Sequence, residues 1–196
     1  MDRADVSQLF YIAPIANLQS ILKLGILSHK RAGKVDHVSV ALSAVQDKRR
    51  PKKIPCAGDL HDYVNLYFDA HNPMLSKRRD QNVQICILRV STSVLDIKGV
   101  VVSDQNAASD YAKFSDVGSG LVALDKDLLY ARFWLHQDNP YEQMRHGSIK
   151  CAEVLVPDRV PPEMIEGIIV VNETVRQAVL LLINALPVNV DSAIFF

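Results

Sequence analysis

The chain is 196 residues long, enough for one domain with a substantial core, and its 48% hydrophobic and 22% charged content is ordinary for a globular protein. Basic and acidic residues balance at 22 each, so no global field draws the protein to nucleic acid, and any such binding must use a local patch. Three cysteines (Cys56, Cys86 and Cys151) without CxxC or CxxH spacing disfavour structural zinc, and their odd number disfavours a disulfide framework; a reducing cytoplasm and no metal are expected.

Leu9–Ile12 is apolar and aromatic and predicts a first strand. Asn17 is a good N-cap for a helix with Leu18, Ile21 and Leu22 on one face, ended by Gly25. Val38–Leu42 predicts a short strand or the start of a helix. The basic run Lys48, Arg49, Arg50, Lys52 and Lys53, broken by Pro51 and ended by Pro55, predicts a loop. Tyr63–Phe68 predicts a strand broken at Asn72-Pro73, and Val83–Val90 is the clearest buried strand. Short apolar runs flank Gly99, and NAASDYAKF has some helical character. Asp125–Leu135 predicts a helix ending near Trp134, and His136–Lys150 a polar loop leading into a strand that holds Glu153. A turn, another strand and a helix from about Thr174 follow; Ala178–Leu186 is too short to span a bilayer and predicts a buried helix face, so no membrane association is expected. The charged N-terminus lacks an apolar stretch, so no signal peptide is expected either. Many short strands with few intervening helices predict an α+β fold with a mixed or mainly antiparallel sheet, and no repeat or low-complexity segment divides a single domain over 1–196.

No GxGxxG follows a strand, and Walker A, HExxH and GxSxG sequences are absent. Two stretches remain. LHDYVNLYFDAHNPML, Leu60–Leu75, gathers aromatic, imidazole and amide groups directly after the basic run. KCAEVLVPD, Lys150–Asp158, carries one carboxylate, Glu153, in a run that buries Val154, Leu155 and Val156. A carboxylate at the edge of a buried strand is costly unless it is paired or does chemistry. Together these suggest a site for a phosphate-rich ligand with a reactive sugar. For a dinucleotide such as NAD, the pyrophosphate needs cations or N–H groups and the nicotinamide needs a stacking surface. Breaking the glycosidic bond builds positive charge on the ribose, which one nearby carboxylate stabilises while taking a proton from the acceptor. On the residues alone, Glu153 reads equally well as a strand-edge partner of Lys150, the basic run as a solvated loop, and Tyr63, Tyr67 and Met74 as packing.

In these residues the chain resembles the DarT family, bacterial toxins that ADP-ribosylate bases in single-stranded DNA. The resemblance is carried by YIAPIANLQSILKLGILSHKRA, QDKRR, LHDYVNLYFDAHNPML, SDQNAASD and KCAEVLVPD with VPPEMI, in the family's order from Tyr11 to Ile165. It implies an ADP-ribosyltransferase-like split sheet with flanking helices, clasping NAD as co-substrate. It implies Glu153 and Arg49 as catalytic residues, and Tyr11, Ile12, Asn17, Leu27, Tyr67 and Met74 as the NAD-binding set. Arg50, Lys52, Lys53, His71, Lys77 and Arg78 are the implied DNA contacts, and His136–Lys150 the implied substrate-recognition loop. The implied partners are single-stranded DNA, with thymine favoured over guanine, and a DarG-like macrodomain antitoxin. The chain departs from the family at Tyr11, where many relatives carry His, and at His71, where relatives often carry Arg. The alternatives are RNA or protein as acceptor, and a non-catalytic nucleic-acid-binding module.

Overall fold

Alternating side chains along the strands give this protein a sheet that is buried on both faces. The structure is a computed structural model, and it describes residues 1–55 and 57–196. In chain order it forms β1 (Leu9–Pro14), α1 (Leu18–Leu24), β2 (Ile26–Leu27), α2 (His29–Ala32), α3 (Ser43–Arg49), β3 (Lys53–Ile54), β4 (Gly58–Asp59), β5 (Tyr63–Tyr67), α4 (Pro73–Ser76), β6 (Ile85–Val90), β7 (Val101–Ser103), β8 (Phe114–Ser115), α5 (Val117–Ala123), α6 (Lys126–Tyr130), α7 (Pro140–Ile149), β9 (Glu153–Pro157), β10 (Arg159–Val160), β11 (Ile165–Val170), α8 (Glu173–Leu182) and β12 (Val188–Val190). The main sheet runs β12-β11-β6-β1-β5-β9-β7-β8. The β11–β12 pair is parallel and the other pairs of this sheet are antiparallel, so the expected α+β fold with a mixed sheet is what forms.

Period-two geometry sorts the core. Val154, Val156, Leu66, Val64 and Val102 face one side and join Leu9, Ala13, Cys86, Leu88 and Ile168 in the larger apolar cluster, under α1, α5 and α8. Ile12, Tyr67, Ile85, Ile87 and Ile169 face the other side and form a smaller cluster that Phe195 completes. Glu153 is opposite Tyr67 on β5 and opposite Ser103 on β7, so it belongs to the second face.

β1 and β5 share one register pair, Phe10 with Tyr67, whereas β1 and β6 pair from Leu9 to Pro14. Two four-stranded halves therefore meet at one end of β1 and part beyond it. Past Phe10, the β5-facing edge of β1 has no strand partner among the described residues, and a cleft opens there.

Several segments differ from their sequence-based expectation. Val38–Leu42 is neither strand nor helix; side chains hold it, with Asn17 accepting from Val38 N and donating to Val38 O, and Arg78 Nε donating to Val40 O. Asn17 stands at the N-cap position of α1, but its amide is spent on Val38 and makes no cap bond. Lys48 and Arg49 close α3 rather than lying in a loop, because Pro51 falls beyond the helix end and breaks nothing. His136–Lys150 is largely helix. Asn139 caps it by accepting from Glu142 N at 3.1 Å, and Pro140 sits at the first turn, where a missing N–H costs no intrahelical bond. Asp125–Leu135 shortens to α6. In the apolar tail, Val179 and Ile183 are buried but Leu181 is 89% exposed. Cys86 and Cys151 are buried, and Cys56 lies outside the described residues. No helix among the described residues is long and apolar enough to cross a membrane.

Gly25 ends α1 at φ +86°, and a Cβ there would lie 2.2 Å from the carbonyl oxygen of Val160. Gly25→Ala is expected to lower unfolding free energy by about 2 kcal/mol or more, from backbone strain and displacement of β10, measurable by chemical denaturation.

Candidate active site

The cleft at the parting of the sheet has a volume of about 210 Å³. β1 lends it Tyr11 and Ile12, β5 lends Tyr63, Asn65 and Tyr67, and α3 lends Arg49. Glu153, the first residue of β9, reaches it from the sheet face. Glu153 is 1% exposed and Arg49 6% exposed. The guanidinium donates twice, Nη1 to Oε1 at 2.9 Å and Nη2 to Oε2 at 3.0 Å, and Ala107 N adds a third donor to Oε1 at 3.3 Å. Burial opposes the Arg49 charge, but the Glu153 carboxylate outweighs it and holds the guanidinium above its ordinary range. Lys150, the partner that sequence alone offered Glu153, is fully buried and paired with Asp69 instead.

Burial, then the Glu153 charge, push the Tyr67 phenol well above its usual value, so it stays a neutral aromatic wall. The same two causes push Cys151 up to about 12, which keeps this cleft-lining thiol inert.

The residues singled out for NAD (Tyr11, Ile12, Asn17, Leu27, Tyr67 and Met74) all line the cleft. The polyanion contacts divide. Lys77 and Arg78, at the end of α4, line it too. Arg50, Lys52, Lys53 and His71 do not. Arg50 pairs with Asp47 at 3.2 Å, and Lys53 lies 3.8 Å from Asp59. Lys52 is tied to Asp110 at 2.7 Å and Ser109 O at 3.0 Å, pinning the 106–110 turn. The His71 ring is buried against Phe196 and donates from Nδ1 to Ile194 O at 2.7 Å.

Other cleft-lining residues fall outside the expected set. Ala107 acts through its backbone, which no side-chain pattern reveals; the neighbouring Asn106 also lines the cleft. The His29 and His61 rings meet along the cleft with centroids 4.2 Å apart and planes tilted by 37°, and His61 Nε2 is buried with no hydrogen-bond partner. Burial, then neighbouring charges including Arg49 and Arg50, hold both imidazoles below their ordinary value. Cys151, two residues before Glu153, could have been found by that spacing, which carries it to the same side of the chain just ahead of β9.

A family model described as "DarT: ssDNA thymidine ADP-ribosyltransferase" matches residues 10–196. A "DNA ADP-ribosyl transferase-DNA ADP-ribosyl glycohydrolase fusion protein" of Thermosipho africanus is 30% identical over 96% of this chain and 49% of its own length, so the chain spans about half of that relative. "Thermus sp. 2.9 DarT in complex with ADP-ribosylated ssDNA" superposes with a TM-score of 0.84 at 26% identity, covering 98% of this chain and 97% of that one. "Thermus sp. 2.9 DarT in complex with NAD+" superposes with a TM-score of 0.81 at 25% identity, covering 97% and 98%.

Arg49→Met leaves the Glu153 charge buried and unpaired and is expected to cost about 3–5 kcal/mol of stability, most of it regained in Arg49→Met/Glu153→Leu; denaturant midpoints check both. The lowered imidazoles set a pH dependence. Between the unfolded histidine value, about 6.5, and the lower folded values, the unfolded chain binds more protons, so stability falls as pH drops through that window. Unfolding midpoints at pH 7.5 and pH 5.5 should show the loss, and His61→Gln should reduce it.

Proposed function

The chain belongs to the DarT family of NAD-dependent DNA ADP-ribosyltransferases, and we propose that it transfers ADP-ribose from NAD to thymine in single-stranded DNA as the toxin of a bacterial toxin–antitoxin pair. NAD is the co-substrate. The observation that carries the reading is the buried, bidentate Arg49–Glu153 pair on the floor of a cleft opened by the parting of β1 from β5.

The chemistry follows from what those groups do. The nicotinamide lies against Tyr67 and Met74 and is clamped by the unpaired backbone edge of β1 at Tyr11 and Ile12. An edge of N–H and C=O groups serves an amide whatever the side chain is, so Tyr11 suffices where relatives carry His. Glu153 accepts hydrogen bonds from the hydroxyls of the nicotinamide ribose. As the bond from C1 of that ribose to nicotinamide breaks, its electron pair leaves with nicotinamide, and the carboxylate stabilises the oxocarbenium-like ribose. A ring nitrogen of the base then gives its electron pair to C1 and loses its proton, which Glu153 takes. Arg49 has five N–H donors and spends two on Glu153, leaving others for the carbonyl oxygen on which the base's negative charge develops. The reacting nitrogen of thymine sits on its pairing edge, so the acceptor must be unpaired and splayed out.

Three further points support the reading. The model that matches residues 10–196 is described by thymidine as its acceptor. A relative's complex holds ADP-ribosylated single-stranded DNA. Another relative carries a DNA ADP-ribosyl glycohydrolase on the same chain, which supports a macrodomain glycohydrolase as the antitoxin that reverses the mark. Both substrates belong to the bacterial cytoplasm, the compartment we assign.

Incubation with labelled NAD and single-stranded oligonucleotides, followed by mass spectrometry, tests this. Label on thymine is expected, with none on RNA, protein or a thymine-free oligonucleotide. Glu153→Ala should lower transfer by about 10²- to 10⁴-fold while the protein still binds NAD. A variant as active as the parent would remove Glu153 from the mechanism.

A further inference from the structure

The C-terminal residues make a set of contacts that the transfer chemistry leaves unused. Arg132 Nη1 donates to Ala193 O at 2.8 Å, His71 Nδ1 to Ile194 O at 2.7 Å, and Asn82 Nδ2 to Phe196 O at 2.7 Å. The Phe196 ring stacks on the His71 ring at 4.1 Å, with 16° between their planes, and meets Trp134 edge-on at 5.7 Å. Phe195 is buried in the cluster that also holds Tyr67 and Cys151.

These contacts converge on one wall of the cleft. His71 N donates to Asp69 Oδ1 at 2.9 Å, and the other oxygen of Asp69 takes the buried ammonium of Lys150, three residues before Glu153. Trp134 lies against Gly147 of α7, where an added Cβ would stand 3.4 Å from its ring, and Pro73 of α4 is the next neighbour at 3.6 Å. The wall so braced holds Met74, Lys77 and Arg78. The segment between α6 and α7 and the start of α7 also carry Phe133, Leu135, Tyr141 and Met144, each between 67% and 76% exposed. Large apolar side chains gain nothing from water, but aromatic rings among them give bases a stacking surface that tolerates any sequence. Trp134, flanked in sequence by Phe133 and Leu135, meets Pro73 at Gly147, and Pro73 opens the helix that leads to Lys77 and Arg78 on the cleft.

We propose that Asp191–Phe196 is a positioning clamp for the acceptor strand: through Arg132, Trp134 and His71 it fixes the wall that presents Phe133 and Tyr141 to the nucleotides flanking the modified base. The proposal rests on single-stranded DNA as acceptor. Ordering that wall in advance removes an entropy cost from DNA binding, while Met74, at its NAD edge, is held separately by Asn72, whose Oδ1 accepts from Met74 N at 3.0 Å.

The test measures transfer by the full chain with oligonucleotide and NAD varied separately. Phe196→Ala, and independently Arg132→Ala, should raise KM for the oligonucleotide about five- to tenfold while KM for NAD and kcat change by less than about twofold. Phe196→Tyr keeps the ring stack and should retain the parent KM. An unchanged oligonucleotide KM in both Ala variants overturns the clamp, as does an equal loss on both substrates, which marks general destabilisation. A parent enzyme that labels no oligonucleotide at all overturns the acceptor reading and the clamp with it, so the two failures are told apart.

Discussion

The Arg49–Glu153 pair is the constraint around which the rest of the molecule is arranged. Two charges removed from water each carry a desolvation cost of several kcal/mol, and only close, two-point geometry offsets it. The fold supplies that geometry from distant parts of the chain. Glu153 opens β9 at a register fixed by both neighbouring strands, and Arg49 arrives from the last turn of α3. A hydrophobic pair would stabilise the same spot at lower risk, which is why an ion pair retained there points to chemistry. The Ala107 N–H on Oε1 further restricts the carboxylate's rotation.

The sheet's division explains why the pair is reachable at all. A continuous ladder between β1 and β5 would close the cleft on the Glu153 face, whereas Leu66, Val64 and their partners on the opposite face are buried in the larger core. With one register pair holding the halves together, the backbone edge of β1 stays open to a ligand. Its residues, Tyr11 and Ile12, keep their places through the full ladder to β6. One edge of the same strand provides rigidity and the other provides recognition.

How much of this was legible follows from the kind of force involved. Strands that bury both faces announce themselves, so β1, β5, β6, β9 and β11 were readable from apolar runs. Glu153 stood out because it contradicts its surroundings. Proline misled twice, because a residue that breaks a helix interior also begins one: Pro140 starts α7, and Pro51 merely follows α3. Val38–Leu42 was unreadable because long-range side-chain bonds from Asn17 and Arg78 hold it, and sequence spacing carries no trace of a contact across the cleft. The basic run was legible as charge but not as function. Its members point in different directions once a helix turn and a hairpin intervene, so Arg49 goes to the site while Lys52 braces a turn.

That division of labour also reconciles a neutral chain with the polyanionic acceptor proposed for it. Net charge governs the field at a distance, beyond the Debye length of about 8 Å at physiological salt, whereas a strand already in the cleft feels only nearby charges. Many cations here are engaged: Arg50, Lys52, Lys126, Lys150 and Arg176 all pair with carboxylates. Among the described residues, Lys77 and Arg79 beside the cleft's cationic flank make no ion pair, and Arg78 spends only Nε, on a backbone carbonyl. Lys77 and Arg78 line the cleft with their ammonium and remaining guanidinium donors unspent. Under the proposed function, a protein built this way gives up long-range steering toward duplex DNA, where the reacting nitrogen is hidden, and keeps short-range hold on a strand whose bases are already free.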